Sequence, residues 1–236
     1  MPPPLVLAHR GARTVAPENT IEAFTVALAQ GADGVELDVH RTADGGLVVH
    51  HDADAPGLGV LAGLGAEEIR QARPEIPTLA EILDACQGAL VNVEIKNLPG
   101  DADYDESHET ARLVVELLEA RAREDDVLVS SFNLASIDRV RELAPWVPTG
   151  LLSMFGVDPF DALEVCVARG HGALHPFIGI LPSGAATAVA ERAHELGLRV
   201  NVWTVNDGHE IVRLAAAGID GIVTDVPDIA REFLSR

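Results

Sequence analysis

Eight short apolar runs, each followed by a stretch with helical periodicity, fill 236 residues without a linker between them. That rhythm, in a chain of that size, predicts an α/β fold: a (β/α)₈ or TIM barrel. The runs are LVLAH (5–9), GVELDV (34–39), ALVNVEI (89–95), VLVSSF (127–132), TGLLS (149–153), GALHP (172–176), RVNVWTV (199–205) and GIVTD (221–225). The helical stretches are 20–30, 79–86, 106–122, 134–143, 159–169, 183–196, 207–217 and 227–234. No shift of composition divides the chain, so one domain is expected over 1–236.

The punctuation supports each boundary. Asn19 with Glu22 three residues later fits an N-cap and capping-box partner for the first helix. Asp44-Gly45-Gly46 lies between β-like runs at 35–41 and 47–51 and predicts a hairpin ending at His50-His51-Asp52. The second strand is thus expected to fold back before any helix. Residues 52–78, with ADAPGLGVLAGLG, are the one irregular piece and read as a surface loop or small cap. Pro77-Thr78, and Asp225 with Pro227, read as helix starts.

Composition excludes several functions. A chain of this length buries a core without disulfides or structural metals. With 47% hydrophobic and 23% charged residues it is not a disordered chain. Seventeen basic residues against 37 acidic ones give a net charge of −20, which argues against nucleic acid or an anionic membrane as partner. An anionic substrate would need local positive charge or a bound cation. Cys86 and Cys166 form no CxxC and read as buried thiols. No run is long enough to span a membrane. MPPPLVLAHR has no signal-peptide pattern, so a cytoplasmic location is expected.

Polar residues interrupt strands that should be continuously apolar if buried on both faces. Glu36 and Asp38 alternate with Val35, Leu37 and Val39, and Asn92, Glu94 and Lys96 alternate with Val91, Val93 and Ile95. Period two puts Glu36 with Asp38, and Glu94 with Lys96, on single strand faces. In a barrel the apolar set meets the helices, and the carboxylates point inward near the C-terminal mouth. For one strand, a half-exposed sheet with its polar face in water would explain the pattern. Two such strands favour a site.

Three buried carboxylates need compensation. Two Glu and one Asp suit one divalent ion, Mg²⁺, Ca²⁺ or Mn²⁺, rather than Zn²⁺. His9, ending the first run, and His51, ending the hairpin, reach the same mouth as a base and an acid. His175 ends the sixth run and could face it too. His40, His108, His171, His194 and His209 have no acidic partner at informative spacing and read as surface residues or caps. Lys96 is the only lysine beside 16 arginines, which suits a position that needs a compact ammonium. Alternation groups Trp203 with Asn201 on an inward face, as part of a site wall.

These residues, in this order, resemble the glycerophosphodiester phosphodiesterase family. The matching segments are HRGARTVAPENTIEAF (9–24), GVELDVHRTADGGLVVHHD (34–52), IPTLAEIL (76–83), VNVEIKN (91–97), SSFN (130–133), VNVWTVN (200–206) and GIDGIVTDVP (218–227). They cover nearly the whole chain. The resemblance implies a barrel hydrolase that cleaves glycerophosphodiesters to glycerol 3-phosphate and an alcohol with a divalent metal, in lipid and glycerol metabolism. It implies His9 and His51 as the catalytic pair and Glu36, Asp38 and Glu94 as metal ligands. Arg10 and Lys96 would lie beside the phosphate, and Trp203 near the glycerol end. By the same analogy the glycerol 2-hydroxyl attacks phosphorus, and water opens the resulting cyclic phosphate.

After Asp52 the chain lacks the Arg-Thr-Thr-like run and longer insertion of many relatives, so its cap is expected to be small. Three rivals are weighed. A lysophospholipase D-like diesterase needs an apolar groove, which 4% aromatic residues and a short cap do not advertise. A non-catalytic phosphodiester-binding module would be expected to lose His9, His51 or a metal acid, and all are present. A barrel aldolase or isomerase needs a Schiff-base lysine; Lys96, two residues from Glu94, suits phosphate neutralisation better. No oligomeric state is implied.

Overall fold

Val, Leu and Ile fill the strand positions that face outward, and the helices that follow each strand present matching apolar faces. The computed structural model describes residues 2–121, 127–181 and 184–235. In chain order the elements begin β1 (Leu5–His9), α1 (Ile21–Ala29), β2 (Gly34–Arg41) and β3 (Leu47–Val49). They continue with β4 (Asp54–Ala55), β5 (Gly59–Val60), α2 (Ala66–Ala72), α3 (Leu79–Ala85) and β6 (Leu90–Ile95). Next come α4 (Glu109–Arg121), β7 (Val127–Ser131), α5 (Leu134–Leu143), β8 (Thr149–Ser153) and α6 (Pro159–Arg169). The series ends with β9 (Ala173–Pro176), α7 (Ala185–Glu195), β10 (Arg199–Val202), α8 (Gly208–Ala216), β11 (Gly221–Thr224) and α9 (Pro227–Leu234). Residues 122 and 183, which fall in two of the expected helices, lie outside the described residues.

Strands β1, β2 and β6 to β11 pair in parallel, and β1 meets both β2 and β11, so the sheet closes into an eight-stranded barrel. Three helices, α5, α6 and α9, have the expected bounds, α3 starts where expected, and the other ends that fall on described residues move by one to three residues. The run expected over 199–205 stops at Val202, because Trp203 makes only an isolated bridge to Phe177. The hairpin is present but shorter than expected: β3 pairs antiparallel with β2, Val39 opposite Val49 and Arg41 opposite Leu47.

Outward-facing Val35, Leu37, Val39, Val91, Val93 and Ile95 are buried against Phe24 of α1 and Leu79, Ile82 and Leu83 of α3. Each such aliphatic side chain contributes about 1.5–3 kcal/mol by leaving water. A second cluster joins β8–β11 to α6–α9 around Leu163, Val189 and Ile211. Cys86 and Cys166 are buried thiols, and burial pushes the Cys166 thiol up to about 12, so it is unreactive.

Of the two readings of 52–78, a surface loop or a small cap, the cap is met: the β4–β5 hairpin, a 3₁₀ turn and α2 close over Val48, Ala55, Leu61, Ile69 and Ile76. Its Gly and Ala content hid a few large anchors. Thr20, not Asn19, caps α1 by accepting from the Ala23 amide, and Asn19 stands at φ +58° with its side chain turned to Asp38. The reading of Thr78 is met in full: it and Glu81 form a capping box on α3. Pro227 opens α9 with no side-chain cap, since Asp225 is engaged elsewhere.

Candidate active site

Strand register assembles the polar cluster. His9 lies opposite Glu36 across β1–β2. Glu36 lies opposite Asn92, and Asp38 opposite Glu94, across β2–β6. The inward alternation of three neighbouring strands therefore converges, and one oxygen from each of Glu36, Asp38 and Glu94 falls within 4.8 Å of the others. At the end of β1 the chain turns sharply: Arg10 has φ +56° and Gly11 φ +84°. A Cβ on Gly11 would lie 2.6 Å from the Ala23 backbone, so only glycine lets this turn press on α1. The turn aims Arg10 back over the acids.

Two cations hold the cluster. Lys96 Nζ lies 2.9 Å from Glu94 Oε1 and 3.3 Å from Asp38 Oδ1. Arg10 Nε lies 3.1 Å from Asp38 Oδ2, and its Nη1 donates to Glu18 at 3.0 Å. Burial would raise Asp38, but Lys96 and Arg10, with His51 and the Asn19 amide, hold its carboxyl below the usual range. Glu94 is raised by burial despite Lys96. Glu36 stands well above the ordinary value, first through burial and then through repulsion from Asp38 and Glu94. Burial would lower Lys96, yet Glu94 and Asp38 hold its ammonium well above the ordinary value.

Three acids against two cations leave one negative charge uncompensated. Asp38 Oδ1 is buried without a hydrogen bond. Both features fit an oxygen-preferring divalent cation at this point, and Glu36, Asp38 and Glu94 are the residues that could hold it.

The two histidines approach from different sides. His9 Nδ1 meets Asp225 Oδ1 at 2.7 Å, and Asn206 donates to Asp225 Oδ2 at 2.6 Å. Burial would raise Asp225, but these bonds from His9 and Asn206 keep it below the usual range. The pairing fixes the His9 ring and turns Nε2 away from Asp225. His51 follows β3, and its Nδ1 meets Asp52 at 2.7 Å. Its side chain is 37% exposed, against 15% for His9. Burial lowers the His51 pKa despite the neighbouring Asp38.

His9, Arg10, Glu36, His51, Glu94, Lys96 and Trp203 all line one cavity of ≈ 280 Å³ at the C-terminal mouth, and Asp38 joins the same cluster at 1% exposure. The opposite wall is apolar. Phe132, Trp203, Phe177 and Phe155 form a chain of ring contacts with centroids 5.1–5.4 Å apart. The chain runs from the cavity to Phe155, which is 69% exposed. Four of the nine Phe, Trp and Tyr residues thus stand in one file. His175 lies beneath, fully buried, accepting from Asn201 at 2.9 Å; burial pushes its pKa down to about 4.

Sequence reasoning missed several supports. Glu18 anchors Arg10, Asn19 donates to Asp38 at 2.9 Å, and Asp225 and Asn206 hold His9. The PENT segment and the TD at 224–225 carried the signal, but Asn19 was read as a helix cap and Asp225 only as part of a helix start. Of the histidines read as surface residues, His194 and His209 are exposed. His40 and His171 are buried, at 1% and 3%, and pair with Asp103 of the loop after β6 and Asp138 of α5.

Among the described residues no helix is long and apolar enough to cross a membrane. The model of the Glycerophosphoryl diester phosphodiesterase family matches residues 9–229. A glycerophosphodiester phosphodiesterase of Caldanaerobacter subterraneus subsp. tengcongensis is 35% identical over 243 residues, covering 95% of each chain. One from Bacillus altitudinis is 33% identical over 95% of this chain and 96% of its own. The crystal structure of a Thermotoga maritima glycerophosphodiester phosphodiesterase superposes with TM-score 0.82 at 30% identity, covering all of both chains. An Oleispira antarctica phosphodiesterase, solved in complex with its product sn-glycerol-3-phosphate, gives TM-score 0.86 at 26% identity over 99% of this chain and 98% of its own. By fold, by the motifs that converge at the mouth and by these likenesses, the chain belongs to the glycerophosphoryl diester phosphodiesterase family.

Proposed function

We infer that this glycerophosphodiester phosphodiesterase cleaves its substrate to glycerol 3-phosphate and an alcohol by histidine acid–base catalysis beside a divalent cation. The convergence of three buried carboxylate oxygens within 4.8 Å, flanked by two cations and two histidines, carries this reading. When bound to Glu36, Asp38 and Glu94, a divalent ion would supply Lewis-acid chemistry, neutralising phosphoryl charge and lowering the pKa of a nearby hydroxyl. Three carboxylates, Arg10, Lys96 and a divalent ion would together carry a net positive charge, which would offset the overall charge of −20 at the point where a monoanionic diester binds.

Arg10 and Lys96 take the non-bridging phosphoryl oxygens as charge grows on them. His9, with Nδ1 tied to Asp225, accepts the proton of the glycerol 2-hydroxyl at Nε2 while that oxygen attacks phosphorus. The bond from phosphorus to the departing alcohol breaks, and His51 gives the leaving oxygen its proton. Its burial-lowered pKa makes protonated His51 a stronger donor. Water then attacks the cyclic phosphate and gives a proton to His51, and His9 returns its own to the 2-hydroxyl.

One observation favours a second substrate class. The file of rings from Trp203 to Phe155 is an apolar exit from the cavity, so the argument from low aromatic content against a substrate whose glycerol carries an acyl chain does not hold. The decisive experiment is a panel of glycerophosphocholine, glycerophosphoethanolamine and lysophosphatidylcholine, with glycerol 3-phosphate and lysophosphatidate read separately. It is run after chelation and again with Mg²⁺, Ca²⁺ or Mn²⁺ restored. Glycerol 3-phosphate release that chelation abolishes and metal restores is expected. Full turnover in chelator overturns the metal-assisted reading.

A further inference from the structure

His40 and Asp103 form a buried pair that none of the steps above uses. His40 Nδ1 meets Asp103 Oδ2 at 2.6 Å, and the two side chains are 1% and 3% exposed. The other ring nitrogen, Nε2, lies 3.2 Å from the backbone carbonyl of His51. Carboxylate and carbonyl oxygens only accept hydrogen bonds, so the imidazole donates on both sides and bridges two separate loops.

The place of this bridge suits a task other than stability. A buried ion pair often contributes little more than an apolar pair of the same shape. This one closes on the backbone of a proposed proton-transfer residue. His9 sits at the end of strand β1, where the parallel ladder fixes it. His51 has no such frame: it follows β3 outside any strand and is tied nearby by the bond from the His50 amide to the Asp38 carbonyl at 3.0 Å. Asp103 comes from the loop after β6, the strand that carries Glu94. That loop is itself pinned where Asn97 donates to the Asp105 carbonyl at 2.9 Å and accepts from its amide at 2.8 Å. A chain of contacts therefore runs from the β6 loop through Asp103 and His40 to His51.

We propose that His40, braced by Asp103, is a positioning residue that holds His51 in line with the leaving oxygen. The proposal rests on the reading that His51 transfers a proton. A shift of about 1 Å in a catalytic group can cost ~10²-fold in rate, so a modest loosening of this loop has a measurable effect without touching phosphate binding.

The test is a double-mutant cycle on the metal-loaded enzyme, with glycerophosphocholine and the 4-nitrophenyl ester of glycerol 3-phosphate as substrates. His40→Leu removes both bonds, and His40→Gln keeps a donor that reaches the His51 carbonyl. Expected is an about 10-fold fall in kcat on glycerophosphocholine for His40→Leu, with KM within about twofold and most of the loss recovered in His40→Gln. The nitrophenyl ester, whose leaving group needs little protonation, loses about threefold or less. Added to His51→Ala, His40→Leu costs less than about twofold more, since the residue it positions is gone.

A full additive loss in the His51→Ala background, or unchanged kcat in His40→Leu, overturns the proposal. Normal turnover of His51→Ala itself overturns the underlying reading of His51, a result separable from the first two. Should His40→Leu fail to fold, Asp103→Asn enters the same cycle from the loop side, judged by the same non-additivity.

Discussion

The two arcs of the barrel mouth are built by opposite means. The arc of β11, β1, β2 and β6 presents His9, Arg10, Glu36, Asp38, Glu94 and Lys96, held by ion pairs and strand register. The arc of β7 to β10 presents Phe132, Leu152, Met154 and Trp203, with the neutral His175 below. One arc concentrates charge where a phosphodiester has its own, and the other offers dispersion contacts and little else. On the proposed reading the contrast separates chemistry from selectivity: bonds break against the polar arc, and the glycerol side of the substrate, with any acyl chain it carries, lies along the apolar one.

Breaking the polar arc should have the largest effect. His9→Ala is expected to fold with an unchanged thermal midpoint and to lose about 10²–10⁴-fold in kcat. Calorimetry and steady-state kinetics check it; turnover near that of the parent would show that the His9–Asp225 pair serves structure alone. The apolar arc is sharpened by Trp203→Ala. Its expected signature is a KM raised by about 10-fold for lysophosphatidylcholine and by much less for glycerophosphoethanolamine. Equal changes for both substrates would mean that the ring wall does not meet the acyl chain.

The smallest effect concerns stability. Burial lowers the His175 pKa from the ordinary 6.5 to about 4, so the unfolded chain binds the proton more readily between those values. Its contribution is complete above pH 6.5 and is lost as pH falls toward 4, by at most about 3 kcal/mol. His175→Asn should flatten the acid side of the plot of thermal midpoint against pH. An acid limb as steep as in the parent would refute this assignment.

Legibility from the sequence followed the same divide. The acids of the polar arc were readable because period-two alternation is a local property: a carboxylate between two valines on a buried strand announces an inward face. Asn19 was misread, and the bond of Asp225 to His9 went unread, because each residue sits near a helix start, where a cap is the commoner use of its side chain. His40 was misread because its partner, Asp103, is 63 residues away. The aromatic file escaped notice because a count of rings over the whole chain says nothing about their clustering, and Phe132, Phe155, Phe177 and Trp203 each lie near a different strand end.

By itself, the sequence determined the barrel, its strand faces and the residues with the capacity for chemistry, since hydrophobic periodicity and side-chain type act over a few residues. The meeting of three carboxylates at one point, the bracing of each histidine and the gathering of the rings along one wall were decided only by closure of the barrel. Closure sets the register between strands, and with it the distances on which electrostatics and packing depend.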